Sequence, residues 1–160
     1  MDIKYEVMDF KNVTIIGKEG MGPAGLGGQW VPQLWKEFTE NVSEVAGLAL
    51  HDEQGKPKLW GAMLDSQRRF LPWEDEGLYI AGVETDADAE APYGWAKWTL
   101  PSFRCAAVSC APKDISLVMQ KMILHELPDN GFMLSGAIQE YYDHSDEVNG
   151  MKLLFPIELI

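Results

Sequence analysis

The chain has 160 residues, enough for one compact domain or two small half-domains sharing a core and too few for two large domains. Twenty-five Asp and Glu against 13 Lys and Arg give a formal charge of −12, a field that repels nucleic-acid backbones and anionic lipid and attracts cations. Hydrophobic residues make up 46%, including six Trp, five Tyr and six Phe, which supplies a core without disulfide or metal staples.

In chain order, residues 4–17 read as a strand region, because Val13, Ile15 and Ile16 are β-branched. The stretch EGMGPAGLGGQ, residues 19–29, comes next as a glycine-rich connection. Gly20, Gly22 and Gly25 spell G-x-G-x-x-G, the spacing of a phosphate cradle. Pro23 and the delayed helix argue against a dinucleotide fingerprint, as does the antiparallel reading of the later strands. A helix is predicted from about Trp30, with Trp30, Leu34, Phe38 and Val42 recurring every four residues. Residues 48–50 and 58–65 read as strands joined by a turn at 52–57, and residues 78–85 as a further strand after the loop 66–77.

Residues 86–94 form an acidic, Pro-containing connector, and the order then repeats. Residues 98–110 read as one strand with Pro101 at an edge or bulge. Cys105 and Cys110 lie on it, spaced like neither a redox pair nor a zinc pair, so reduced thiols are expected. Ile115, Val118, Met119, Met122 and Ile123 keep helical spacing, Asp114 is a plausible N-cap, and Pro128 with Gly131 is the stop. Residues 137–144 and 151–159 read as the last strands. Two strand-helix-strand-strand units of about 80 residues suggest an internal duplication with a cleft at the junction.

On the strand 137–144, Ile138, Glu140, Tyr142 and His144 share one side and Ala137, Gln139, Tyr141 and Asp143 the other. If Ile138 and Tyr142 face inward, so does Glu140. A carboxylate there needs a donor or a cation, and a cationic ligand can be that partner. Alternation alone favours the plainer readings, an exposed edge position or an ion pair with a structural Lys or Arg. Trp73, Tyr93, Trp95 and Trp98 lie in or beside Pro- and Gly-containing connections, where they could wall a pocket. The three histidines are scattered without a zinc-helix pair, and no serine sits in a G-x-S-x-G elbow. No metal and no cofactor are expected. The start MDIKYEVMDF has no signal-peptide pattern, and no stretch approaches a membrane span, so a cytoplasmic protein is expected.

Several strings, EVMDFKNVTIIGKEG, GLYIAGVETD, WTLPSFRCAAVSC and HELPDNGF…AIQEYYDH…MKLLFPIEL, resemble the GyrI-like small-molecule-binding family. That family includes the effector-binding domains of AraC- and MerR-type multidrug regulators. The resemblance covers most of the chain. It implies an α+β fold of duplicated βαββ (SHS2-like) halves related by a pseudo-two-fold, an antiparallel sheet with two main helices and a central ligand cleft. The domain would span 1–160, with halves of about 1–85 and 95–160 and a connector at 86–94.

The resemblance places Glu140 at the family's pocket carboxylate, facing lipophilic, often cationic ligands sandwiched by aromatics. Ligand contacts expected on this chain are Glu140, Tyr142, Trp98, Trp95, Trp73 and Tyr93. The length resembles a stand-alone member, acting as a sensing or sequestering protein for amphipathic aromatic or cationic small molecules, without direct contact to nucleic acid or membrane. Some stand-alone members resemble hydrolases that open strained cyclopropane rings of DNA-alkylating natural products, in which role Glu140 would be catalytic. A third reading is an acidic inhibitor of a protein partner such as a topoisomerase.

Overall fold

The computed structural model describes residues 3–146 and 148–160. Eight antiparallel strands form one sheet: β1 (Glu6–Phe10), β2 (Thr14–Pro23), β3 (Leu59–Asp65), β4 (Glu76–Thr85), β5 (Ala96–Thr99), β6 (Phe103–Cys110), β7 (Gln139–Tyr142) and β8 (Met151–Leu159). Their order across the sheet is β1-β6-β8-β7-β3-β4-β2-β5. Matching β6, β7 and β8 to β2, β3 and β4 makes this order read the same from either end, with the β3–β7 pair at the centre.

Two helices cover one face. Helix α1 (Gly27–Glu40) buries Leu34 and Phe38 over Ile16, Met63, Tyr79 and Ala81. Helix α2 (Ile115–Lys121) continues through a wider π turn, Met122–Glu126, and a last turn, Leu127–Asp129, in which Pro128 can donate no amide hydrogen. Val118, Met122 and Leu127 pack on Ala106, Val108, Leu153 and Phe155. The sheet curls away from the helices. Only Leu100, Pro101 and Ser102 separate β5, at one edge, from β6, which lies one strand in from the other. The inner face of the curl is filled by Ile15, Trp60, Ile80, Trp98, Leu100 and Phe103.

The glycine-rich stretch behaves differently from the loop its composition suggests. Residues 19–23 belong to β2, paired with β4 as far as Pro23 opposite Glu76, and α1 already begins at Gly27 after a 3-10 turn, Ala24–Leu26. Here glycine serves close packing. A Cβ on Gly20 would press on Leu34 at 3.1 Å, and one on Gly22 would overlap Trp30 at 2.7 Å, so their absence lets α1 lie against the strand. Three other expectations also change. Of residues 48–50, Leu48 ends the 3-10 turn Ala46–Leu48 and only Ala49 pairs, in an isolated bridge to Thr85. The stretch 98–110 splits at Pro101 into β5 and β6, because the chain there crosses from one sheet edge toward the other. Asp114 makes no side-chain cap, since the 3-10 turn Pro112–Asp114 leads directly into α2. Among the described residues, no helix is long and apolar enough to cross a membrane.

Candidate functional site

Between the N-terminal ends of α1 and α2, on the helix-covered face, lies a cleft of about 560 Å³. One wall is the connection into α1, with Ala24, Gly25, Gly27 and Gly28, then Val31 and Pro32. The facing wall is the start of α2, with Pro112, Ile115, Ser116 and Met119. Trp73, Met63, Tyr79 and Glu140 complete it, the last three carried by β3, β4 and β7. Apart from Glu140, these side chains are apolar or neutral.

Glu140 sits at the centre of the sheet because β7 pairs with β3 in a register that sets it opposite Gly61. That glycine is required. A Cβ at position 61 would collide with Tyr79 Oη and come within 2.5 Å of Glu140 Oε1. Through the space so left, the Tyr79 hydroxyl donates to Glu140 Oε1 at 2.5 Å, and Trp35 Nε1 of α1 donates to Tyr79 Oη at 2.8 Å. The Tyr142 hydroxyl lies 3.4 Å from the same carboxylate oxygen, with its ring edge-on to Trp35 at a centroid distance of 5.0 Å. Glu140 is 8% exposed and belongs to none of the ion pairs among the described residues.

Burial therefore dominates its ionisation. Loss of hydration pushes the Glu140 carboxyl up to about 7, against the smaller opposing pull of the Tyr79 and Tyr142 hydroxyls. The same burial, with Glu140 next to them, pushes both tyrosines above the ordinary phenol range. The cleft thus has one ionisable group poised near neutrality, hydrogen-bonded to tyrosine hydroxyls and without a cationic partner among the described residues.

Trp73 stands on the cleft wall, stacked on Trp30 at a centroid distance of 5.5 Å and an interplanar angle of 23°. Its indole donates to the Leu78 carbonyl at 3.2 Å, and its ring occupies the space a Cβ on Gly77 would need. Trp30 donates to the Pro23 carbonyl at 3.0 Å. The other expected contacts lie elsewhere. Trp98 is buried on the inner face of the curled sheet, where its indole donates to Glu19 Oε1 at 2.7 Å. Trp95 packs edge-on against Phe38, donates to Glu44 Oε1 at 3.2 Å and carries Lys18 Nζ over its ring at 4.0 Å. Tyr93 is fully exposed on the connector.

Sequence reasoning missed Tyr79, Trp35 and Gly61. Tyr79 and Trp35 read as core residues of their own elements, and only the β3–β4–β7 pairing brings them to Glu140. The one local signal was Gly61, a glycine inside an otherwise apolar strand, which marks a close approach. Among the described residues, no group of three or more His, Cys, Asp or Glu could hold a metal ion.

No protein-family model and no curated protein sequence matches this chain. Solved structures do match its fold. SAV2435 bound to tetraphenylphosphonium superposes with a TM-score of 0.69 at 16% identity, over 98% of this chain and 94% of that one. A bacterial transcription regulation protein from Staphylococcus aureus MU50 gives 0.66 at 14%, covering 98% and 99% of the two chains. The C-terminal domain of EcmrR gives 0.64 at 14%, with both chains covered in full. These likenesses are of fold: an α+β architecture with a single antiparallel eight-stranded sheet and two main helices, as the resemblance in sequence implies.

Proposed function

We propose that this protein binds lipophilic, cationic aromatic small molecules in the Glu140 cleft and serves in the cytoplasm as a drug-sensing or drug-sequestering domain. One observation carries the reading: a buried carboxyl at the centre of the fold, on the wall of an otherwise apolar cleft, with no cationic side chain as partner. Such a group is costly to ionise alone, and a ligand cation repays that cost directly. Trp73 offers an aromatic face for the rest of the ligand, worth about 0.5–2 kcal/mol if it meets the cation. The tetraphenylphosphonium bound by SAV2435, a protein of the same fold, is a molecule of this class.

Calorimetric titration with tetraphenylphosphonium at pH 8 tests it. Saturable binding is expected, weakened by about ten- to a hundredfold in Glu140→Gln, the size of a lost charge-assisted contact. Absence of binding, or equal affinity in the folded variant, would overturn it.

A second reading draws on the same carboxyl. A buried acid poised near 7 suits general acid–base catalysis, as opening of a strained cyclopropane by water requires. Mass analysis of a cyclopropane-bearing alkylator after incubation separates the two: a hydrolase yields the product heavier by one water, and a binder returns the compound intact.

A further inference from the structure

The hydrogen bonds around Glu140 have fixed directions. An indole nitrogen can only donate, so Tyr79 Oη accepts from Trp35 and must direct its own hydrogen to Glu140 Oε1. Tyr142 Oη also stands against Oε1. Both hydroxyls thus converge on one carboxylate oxygen, and Oε2 has no hydrogen-bond partner among the described residues. When Glu140 is neutral its proton belongs on Oε2, because Oε1 is already taken by a donor. The neutral side chain is then a hydrogen-bond donor in an apolar cleft, and an unmatched donor there is costly, less so than an unmatched charge but enough to favour a ligand that accepts from it.

We propose that the same cleft takes a second class of ligand, uncharged lipophilic molecules bearing one strong hydrogen-bond acceptor such as a carbonyl or phosphine-oxide oxygen, held by donation from Glu140 Oε2. The proposal rests on the small-molecule reading above and extends it from one ligand charge to two. The protonation of a single carboxyl selects between them: ionised Glu140 accepts the cation and rejects the neutral acceptor, and protonated Glu140 does the reverse.

The surroundings leave Glu140 as the group that switches. From β4 it faces Tyr79 and from β7 Tyr142, both held above the ordinary phenol range. Cys110, at the end of β6, has its thiol raised to about 11 first by burial and then by the charges of Asp114 and Glu140. Helix α1 presents Trp35 and Val31, and α2 presents Ile115, Ser116 and Met119, none of which is charged. Burial without a counter-cation puts the Glu140 transition at about 7, so both forms are populated near neutral pH.

Two probes of nearly matched shape make the test: tetraphenylphosphonium for the cation and triphenylphosphine oxide for the neutral acceptor. Dissociation constants of the intact protein for each are measured from about pH 5.5 to about pH 8.5. Opposite slopes are expected. Between pH of about 6 and about 8, phosphonium affinity rises by about tenfold and phosphine-oxide affinity falls by about tenfold, each following one form of the carboxyl. In Glu140→Gln, whose amide can still donate, the oxide binds with no pH dependence, and phosphonium binding is weaker than in the native protein at pH of about 8.5 and converges with it toward pH of about 5.5. Oxide affinity that is flat or rises with pH in the native protein overturns the proposal even if the variant fails to fold, and so does phosphonium binding without oxide binding. If neither probe binds at any pH, the small-molecule reading falls with it.

Discussion

Glu19 and Glu140 lie on opposite faces of the same sheet and have opposite fates. Glu19, on the inner face of the curl, accepts a two-pronged contact from Arg68, with Nη1 at 3.1 Å and Nη2 at 2.5 Å, and the Trp98 indole at 2.7 Å. The Arg68 hydrogen bonds hold its carboxyl below the ordinary range. Glu140, on the helix face, receives only tyrosine hydroxyls, and burial pushes its carboxyl up to about 7. The first acid finds its counter-charge within the chain and ties the loop at 66–75 to β2. The second has no counter-charge among the described residues. A carboxylate's role thus depends on which donors the fold brings to it, since the residue type is the same.

The largest expected effect removes the room that sustains the second environment. Gly61→Ala drives a methyl group into Tyr79 Oη and Glu140 Oε1, and a loss of about 3 kcal/mol or more is expected in urea unfolding, with ligand binding abolished. Glu140→Gln sharpens the contrast by sign. The native carboxyl is raised from about 4.5 to about 7, so the folded state binds the extra proton and stability falls as pH rises between those values. The variant should lack that slope and gain roughly 2–3 kcal/mol on the native protein at pH 8, seen as a difference in melting temperature that disappears near pH 4.5. Tyr79→Phe comes next. It removes the donor to Oε1 and the acceptor of Trp35 Nε1, at a cost of about 2 kcal/mol, and shifts the pH midpoint of phosphonium binding upward. Arg68→Ala is the smallest. Its side chain is 57% exposed, so solvent screening limits the loss to about 1 kcal/mol or less. Because Glu19 is depressed, that contribution is present above the ordinary carboxylate range and lost as pH falls, so the variant and native curves should meet in acid. Phosphonium affinity should be unchanged, and a change there would mean that the two faces are coupled.

Much of the frame was readable from residue order. The 3-and-4 spacing placed both helices, and β8 was read with its observed ends, because both kinds of element carry their apolar faces locally. Alternation on β7 put Glu140 and Tyr142 on one side and Tyr141 on the other, as observed, with Tyr141 packed on Trp60. What resisted reading depends on contacts distant in sequence. Glycines at 20 and 22 signal a turn by composition, and only α1 lying over β2 shows them to be clearance. Trp98 and Trp95 stand beside loops in sequence, yet the curl of the sheet and the end of α1 cover them. Tyr79 meets Glu140 across 61 residues, through a register that no local pattern records.

The stack of Trp30 on Trp73 has an optical consequence. Two indoles at 5.5 Å are close enough for their transition dipoles to couple, and a skew between those dipoles is expected to give a paired positive and negative band in circular dichroism. Since Trp73 also forms part of the cleft wall, a ligand that slides against it or parts the pair would change that couplet and the tryptophan emission together. Under the proposed function this pair would report cleft occupancy without a label, a signal that Trp30→Phe should cancel.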